Sequence, residues 1–154
     1  MFATKKGNTR TSDVTFRAWR VIVCLPSLAR GANMKFVLIT KDPEVEAAAR
    51  EGFHPSDECL TFPDWADALN ACQGADLLFV DLIATLIQPH EIAGYERFAM
   101  AKMAHRVAAA TPLILIAPSQ EYDMDYMAGW PDFVFGHVRR PVNYKIFRRA
   151  STWV

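Results

Sequence analysis

No stretch of the 154-residue sequence approaches the ~20 consecutive apolar residues needed to cross a bilayer. Cysteine is scarce: Cys24, Cys59 and Cys72 are odd in number, and no two stand in a CxxC spacing. That usage excludes a disulfide framework and a cysteine zinc site, and fits small buried thiols in a reducing compartment. Neither GxGxxG nor a GxxxxGK loop occurs, so the glycine-rich cradles of dinucleotide and P-loop sites are missing. His90, His105 and His137 form no HxxxH or HxH pair, which argues against a metal centre. Internal repeats, low-complexity tracts and long linkers are also lacking.

Net charge is zero, but it is unevenly spread. Residues 1–33 carry Lys5, Lys6, Arg10, Arg17, Arg20 and Arg30 against Asp13 alone, a net of +5, and the remainder has 11 basic and 16 acidic residues, a net of −5. A domain of that sign is a poor nucleic-acid binder. The basic start followed by Val21–Leu25 has the outline of a signal peptide, but its apolar part is short and Arg17 and Arg20 crowd it. Met34 reads as the natural beginning of a first strand, and residues 1–33 as a disordered or extraneous extension. A basic arm for a partner or a membrane surface is the sharper alternative.

An apolar content of 51% with 22% charged residues describes an ordinary globular chain, long enough for one full core. From Met34 the sequence alternates short apolar runs with helical patterns. Residues 35–40 predict a first strand, and Asp42-Pro43 starts a helix with a capping carboxylate and a proline at its first position. Residues 59–62 predict a second strand, 63–72 a second helix and 77–80 a third strand, apolar on both faces as a central parallel strand is. Residues 89–110 predict a long helix with Ile92, Tyr95, Phe98, Ala99 and Met103 on one stripe. Residues 112–117 predict the fourth strand, 121–128 a short helix, 133–135 the fifth strand and 142–150 a final helix. Five β/α units in a row predict a three-layer α/β sandwich of flavodoxin-like type, a five-stranded parallel sheet in the order 2-1-3-4-5. The chain ends four residues after the last helix, so the expectation is a module without an attached output domain.

In such a fold the carboxyl ends of the strands gather at one edge, where chemistry is placed. That edge would hold Thr40, Lys41 and Asp42, then Asp81, then Ala117, Pro118 and Ser119, and finally His137, Arg139, Arg140 and Pro141. The set resembles the receiver (CheY-like) domains of two-component response regulators over nearly all of residues 34–150, mostly as pattern. Asp81 matches the position of the family's phospho-accepting aspartate. Arg140-Pro141 matches its lysine-proline step after the fifth strand. The departures are equally specific: Thr40-Lys41 replaces two adjacent Mg²⁺-binding acids, Ala117 replaces the Ser or Thr that ends strand four, and Arg140 replaces the lysine. Ser119 lies two residues beyond the hydroxyl position, and residues 82–89 lack the usual glycine-bearing loop.

The resemblance therefore implies a degenerate receiver, a pseudo-receiver. Phosphoryl transfer to a carboxylate needs a cation to neutralise the transferring group, and Mg²⁺ binds through one or two carboxylates plus water and phosphate oxygens. Asp42 and Asp81 are the two candidate metal ligands, with Mg²⁺ as the cofactor if the site works. Lys41 is expected to pair with Asp81, lower its pKa and hold the site permanently occupied. The leading reading is a cytoplasmic signalling module, not an enzyme. It would act by contact with a histidine kinase, a phosphotransfer protein or an output protein, through strands four and five and the last two helices. The alternatives are a working phosphorelay receiver using Asp81, or a small-molecule or nucleotide-binding flavodoxin-like protein using the same crevice.

Overall fold

The computed structural model describes residues 33–89, 91–119 and 133–154. Five strands, β1 (Lys35–Ile39), β2 (Glu58–Phe62), β3 (Leu77–Asp81), β4 (Leu113–Ala117) and β5 (Gly136–Arg139), form one sheet in the order β2-β1-β3-β4-β5. All four pairings are parallel. The expected order and class are those observed.

Strand parity builds the core. Phe36 and Leu38, Leu77 and Phe79, and Ile114 and Ile116 face one layer, where α1 (Pro43–Gly52) contributes Val45 and Ala49 and the last helix, α5 (Tyr144–Ala150), contributes Phe147 and Ala150. Val37 and Ile39, Leu78 and Val80, and Leu113 and Leu115 face the other. There α2 (Trp65–Ala71), the short α3 (Leu82–Thr85) and α4 (Ala93–Ala104) supply Leu69, Leu82, Tyr95 and Phe98. Burial on both faces explains why β1, β3 and β4 are nearly continuous apolar runs. The helix starts follow from local chemistry: the side chains of Asp42, Asp64 and Asn143 accept from the backbone N–H groups of Glu44, Ala66 and Lys145, satisfying donors that a first turn leaves open. Gly52 lets α1 and α5 approach closely, since a Cβ there would lie 2.5 Å from the Tyr144 carbonyl oxygen and 2.7 Å from the Phe147 Cβ.

Several local expectations are corrected. The fifth strand is Gly136–Arg139 rather than residues 133–135, so His137 and Arg139 lie within it, paired with Leu115 and Ala117. The helix expected over residues 89–110 is α4 followed by a 3₁₀ turn, Ala108–Ala110. It ends because the His105 ring Nδ1 accepts from the N–H groups of Val107 and Ala108. Met103, expected on the buried stripe of α4, is 55% exposed, and Lys102 lies buried there instead. The helix expected at 121–128, His90, Cys24 and the N-terminal extension up to residue 32 fall outside the described residues. Among the described residues no helix is long and apolar enough to cross a membrane.

Candidate functional site: an arginine clasp at the strand ends

The register pairs Ile39 with Val80, so one step on Thr40 and Asp81 stand side by side on the α1/α5 face of adjacent strands. Both are buried, Asp81 at 1% exposure. The Thr40 hydroxyl donates to Asp81 Oδ2 at 2.9 Å and accepts from the Asp42 N–H at 3.1 Å. Thr40 thus ties the acid of β3 to the first turn of α1. Asp81 also stands at the N-cap of α3, yet its side chain makes no capping bond there. The carboxylate is committed elsewhere.

That commitment is to Arg140. After β5 the chain continues into Arg140, whose backbone N–H donates to the Ala117 carbonyl at 2.9 Å, and the Arg140–Pro141 peptide is cis. The guanidinium reaches back across the sheet edge and splits its fork. Nη1 donates to Asp42 Oδ2 and Nη2 to Asp81 Oδ2, each at 2.5 Å. Such charge-assisted contacts are the strong kind, and the planar fork is what allows one residue to hold two acids. The hydrogen bond from Arg140 lowers the Asp42 pKa below its ordinary value of 3.8, against a smaller opposing effect of burial. Asp42 divides its oxygens: Oδ1 caps α1 and Oδ2 holds the clasp. Asp81 Oδ1 and Arg140 Nε are buried with no hydrogen-bond partner.

The expectation that Lys41 pairs with Asp81 is therefore corrected, because Arg140 is the cation on that carboxylate. Lys41 is exposed and lines a neighbouring cleft of about 330 Å³ with Ile83, Leu86, Ile87, Gln88 and Pro118. The reason is geometric: Thr40 and Asp81 share a face, while the next residue along an extended chain points to the other. Ala117 is buried and, by the parity of β4, faces the layer of Leu113 and Leu115 rather than the clasp; Ser119 is exposed with no hydrogen bond to either aspartate among the described residues, and Pro141 is exposed. Arg139 donates to the Pro118 carbonyl at 2.9 Å and takes no part in the clasp. Of the residues expected at the strand ends, the structure brings Thr40, Asp42, Asp81 and Arg140 into contact. Lys102 was not anticipated from the sequence, although the spacing 95, 98, 99, 102 is itself a helical stripe.

Mg²⁺ fits this arrangement poorly. It demands six oxygens in near-octahedral geometry and keeps several waters. Here the two carboxylates share one guanidinium, and the uncommitted oxygen, Asp81 Oδ1, is sealed from solvent. Among the described residues no three His, Cys, Asp or Glu side chains come together as a metal-binding group.

No protein-family model matches the chain, and no curated protein matches it in sequence. Solved structures do match in fold. The chemotaxis protein CheY4 of Vibrio cholerae superposes with a TM-score of 0.60 at 15% identity, over 80% of this chain and 100% of that one. The receiver domain of sensor histidine kinase PA1611 from Pseudomonas aeruginosa PAO1, with magnesium coordinated in its active-site cleft, gives 0.55 at 15% identity, over 77% and 94%. A structure described as adenylate cyclase from Rhodopirellula baltica gives 0.59 at 13% identity, over 79% and 86%. The chain therefore has the fold of response-regulator receiver domains.

Proposed function

We propose that this chain is a receiver-like signalling module that works by binding another protein, with no phosphoryl transfer at Asp81. The observation that carries this reading is the clasp: one guanidinium bonded to Asp42 and Asp81 at 2.5 Å on each side. An acceptor carboxylate needs an open oxygen and a cation free to meet the incoming phosphoryl group. Asp81 is buried, its Oδ2 already accepts from Thr40 and Arg140, and its Oδ1 has no access to solvent. In this reading Arg140 takes the place of the metal, and the strand-end loops stay in one state. The partner, a histidine kinase, a phosphotransfer protein or an output protein, would dock on the β4–β5 side, where Phe135 and Trp153 are 53% and 39% exposed.

The test is an amide NMR titration of the full chain with magnesium and beryllofluoride, with Asp81→Asn as control. The expected result is an unchanged spectrum around Asp42, Asp81 and Arg140. Saturable shifts at those positions that vanish in the control would instead establish a working phospho-switch and overturn the reading.

A further inference from the structure

The opposite end of the sheet holds a second cluster, unrelated to the clasp. Lys102 lies in the last turn of α4, on the helix face that also buries Tyr95, Phe98 and Ala99, and is only 3% exposed. An ammonium so deeply placed normally has a carboxylate partner. Lys102 has none among the described residues: Nζ donates to the Ala109 carbonyl at a long 3.4 Å and stands 5.4 Å from the centre of the Phe133 ring. An ammonium carries three donors, so two are left without an acceptor among the described residues. Burial lowers the Lys102 pKa, opposed in part by the nearby Cys72. The side chain borders a cavity of about 430 Å³ walled by Ala109, Ala110, Thr111, Leu113 and Phe133. That volume lies within the range of small-molecule sites.

We infer that this cavity binds a small aromatic carboxylate, its anionic group on the Lys102 ammonium and its ring against Ala110 and Phe133. The charge argues for a monoanion. Among the described residues one buried cation faces the space, so a phosphate dianion would bring an uncompensated charge out of water, which is costly. The walls argue for a flat body with one apolar face, since Ala109, Ala110 and the Phe133 ring offer apolar area beside the polar Thr111, and Leu113 is fully buried. A bound carboxylate would also supply the acceptor that the two idle N–H donors lack. The inference does not depend on the reading of the clasp.

The probe is benzoate, with benzamide as a neutral molecule of the same shape, titrated into the full chain and followed by amide NMR. Benzoate should give saturable shifts at Thr111, Leu113 and Val134, and benzamide should bind at least about tenfold more weakly, the loss of roughly one charge-assisted contact. Lys102→Met should abolish the preference for benzoate. Ala110→Phe, at an exposed wall position, should block both molecules and serves if the lysine variant fails to fold. Equal binding of the two molecules would overturn the inference, as would benzoate binding unaffected by either variant. So would failure of benzoate to saturate below about 10 mM, weaker than a fragment-sized site.

Discussion

Replacing Arg140 with methionine keeps the length of the side chain and removes the fork. Asp42 is partly exposed and can regain water. Asp81 cannot: its side chain is 2% exposed, and Thr40 would be its remaining partner. Breaking a buried pair by removing one member costs ~3–5 kcal/mol, because the surviving charge is stranded. Arg140 itself is 20% exposed, so water reaches part of the pair in the intact protein and the cost should fall to about 2–4 kcal/mol. For a domain of this size that is a fall in melting temperature of roughly 8–16 °C, a large part of a marginal stability. The cause can be isolated with Asp81→Asn, which removes the stranded charge while keeping an acceptor for Thr40. In the double variant most of the loss should return, with a coupling energy of about 2 kcal/mol between the two sites. Urea unfolding of the four proteins, followed by circular dichroism, measures all of this. If Arg140→Met costs less than about 0.5 kcal/mol, or if the two changes simply add, the clasp is an ordinary surface contact.

Asp42 should shape the acid limb of stability. Its folded pKa is depressed, so its contribution is complete above the ordinary value of 3.8 and is lost as pH falls through the lower folded value. Asp42→Asn should flatten that limb, and an unchanged slope would count against the assignment. Gly52→Ala should destabilise by roughly 1–3 kcal/mol, since the new methyl group meets the Tyr144 carbonyl and the Phe147 side chain. A melting temperature equal to the parent's would mean that α1 and α5 sit further apart than described. Burial pushes the Cys59 thiol up to about 11 and raises that of Cys72. A thiol reagent at pH 8 should therefore leave both unmodified until urea unfolds the chain, and quick labelling of Cys72 in the native protein would contradict its burial.

How much was legible follows from where the residues sit. β1, β3 and β4 are buried on both faces and so advertise themselves as apolar runs. β5 is an edge strand paired on one side, and Gly136-His-Val-Arg139 carries no such run. The more apolar residues before it drew the assignment, while the bond from the Phe135 N–H to the Leu113 carbonyl, which sets the register, leaves no trace in composition. Asp81 and Arg140 were visible because a strand end and an Arg-Pro step mark them. Which cation would reach Asp81 was not visible, since Lys41 is adjacent to the right residue in sequence but on the wrong face, and Arg140 lies 59 residues away. Lys102 was hidden by its type: a lysine on a helix is read as solvated, even at a position where its neighbours at three and four residues are core.

The parity of the strands carries one more consequence. Asp81 continues the odd-numbered side of β3, the side of Phe79, whose ring packs with those of Phe36, Phe53 and Phe147. Lys102 belongs to the even-numbered side and to the far edge, about 13 Å away along β4 counting from Leu113 to Ala117. The sheet thus works as an insulator between two addresses. A perturbation at the clasp is felt first by the aromatic layer beneath α1 and α5, and occupation of the Lys102 cavity by the layer beneath α4, so the two events should be free-energetically additive.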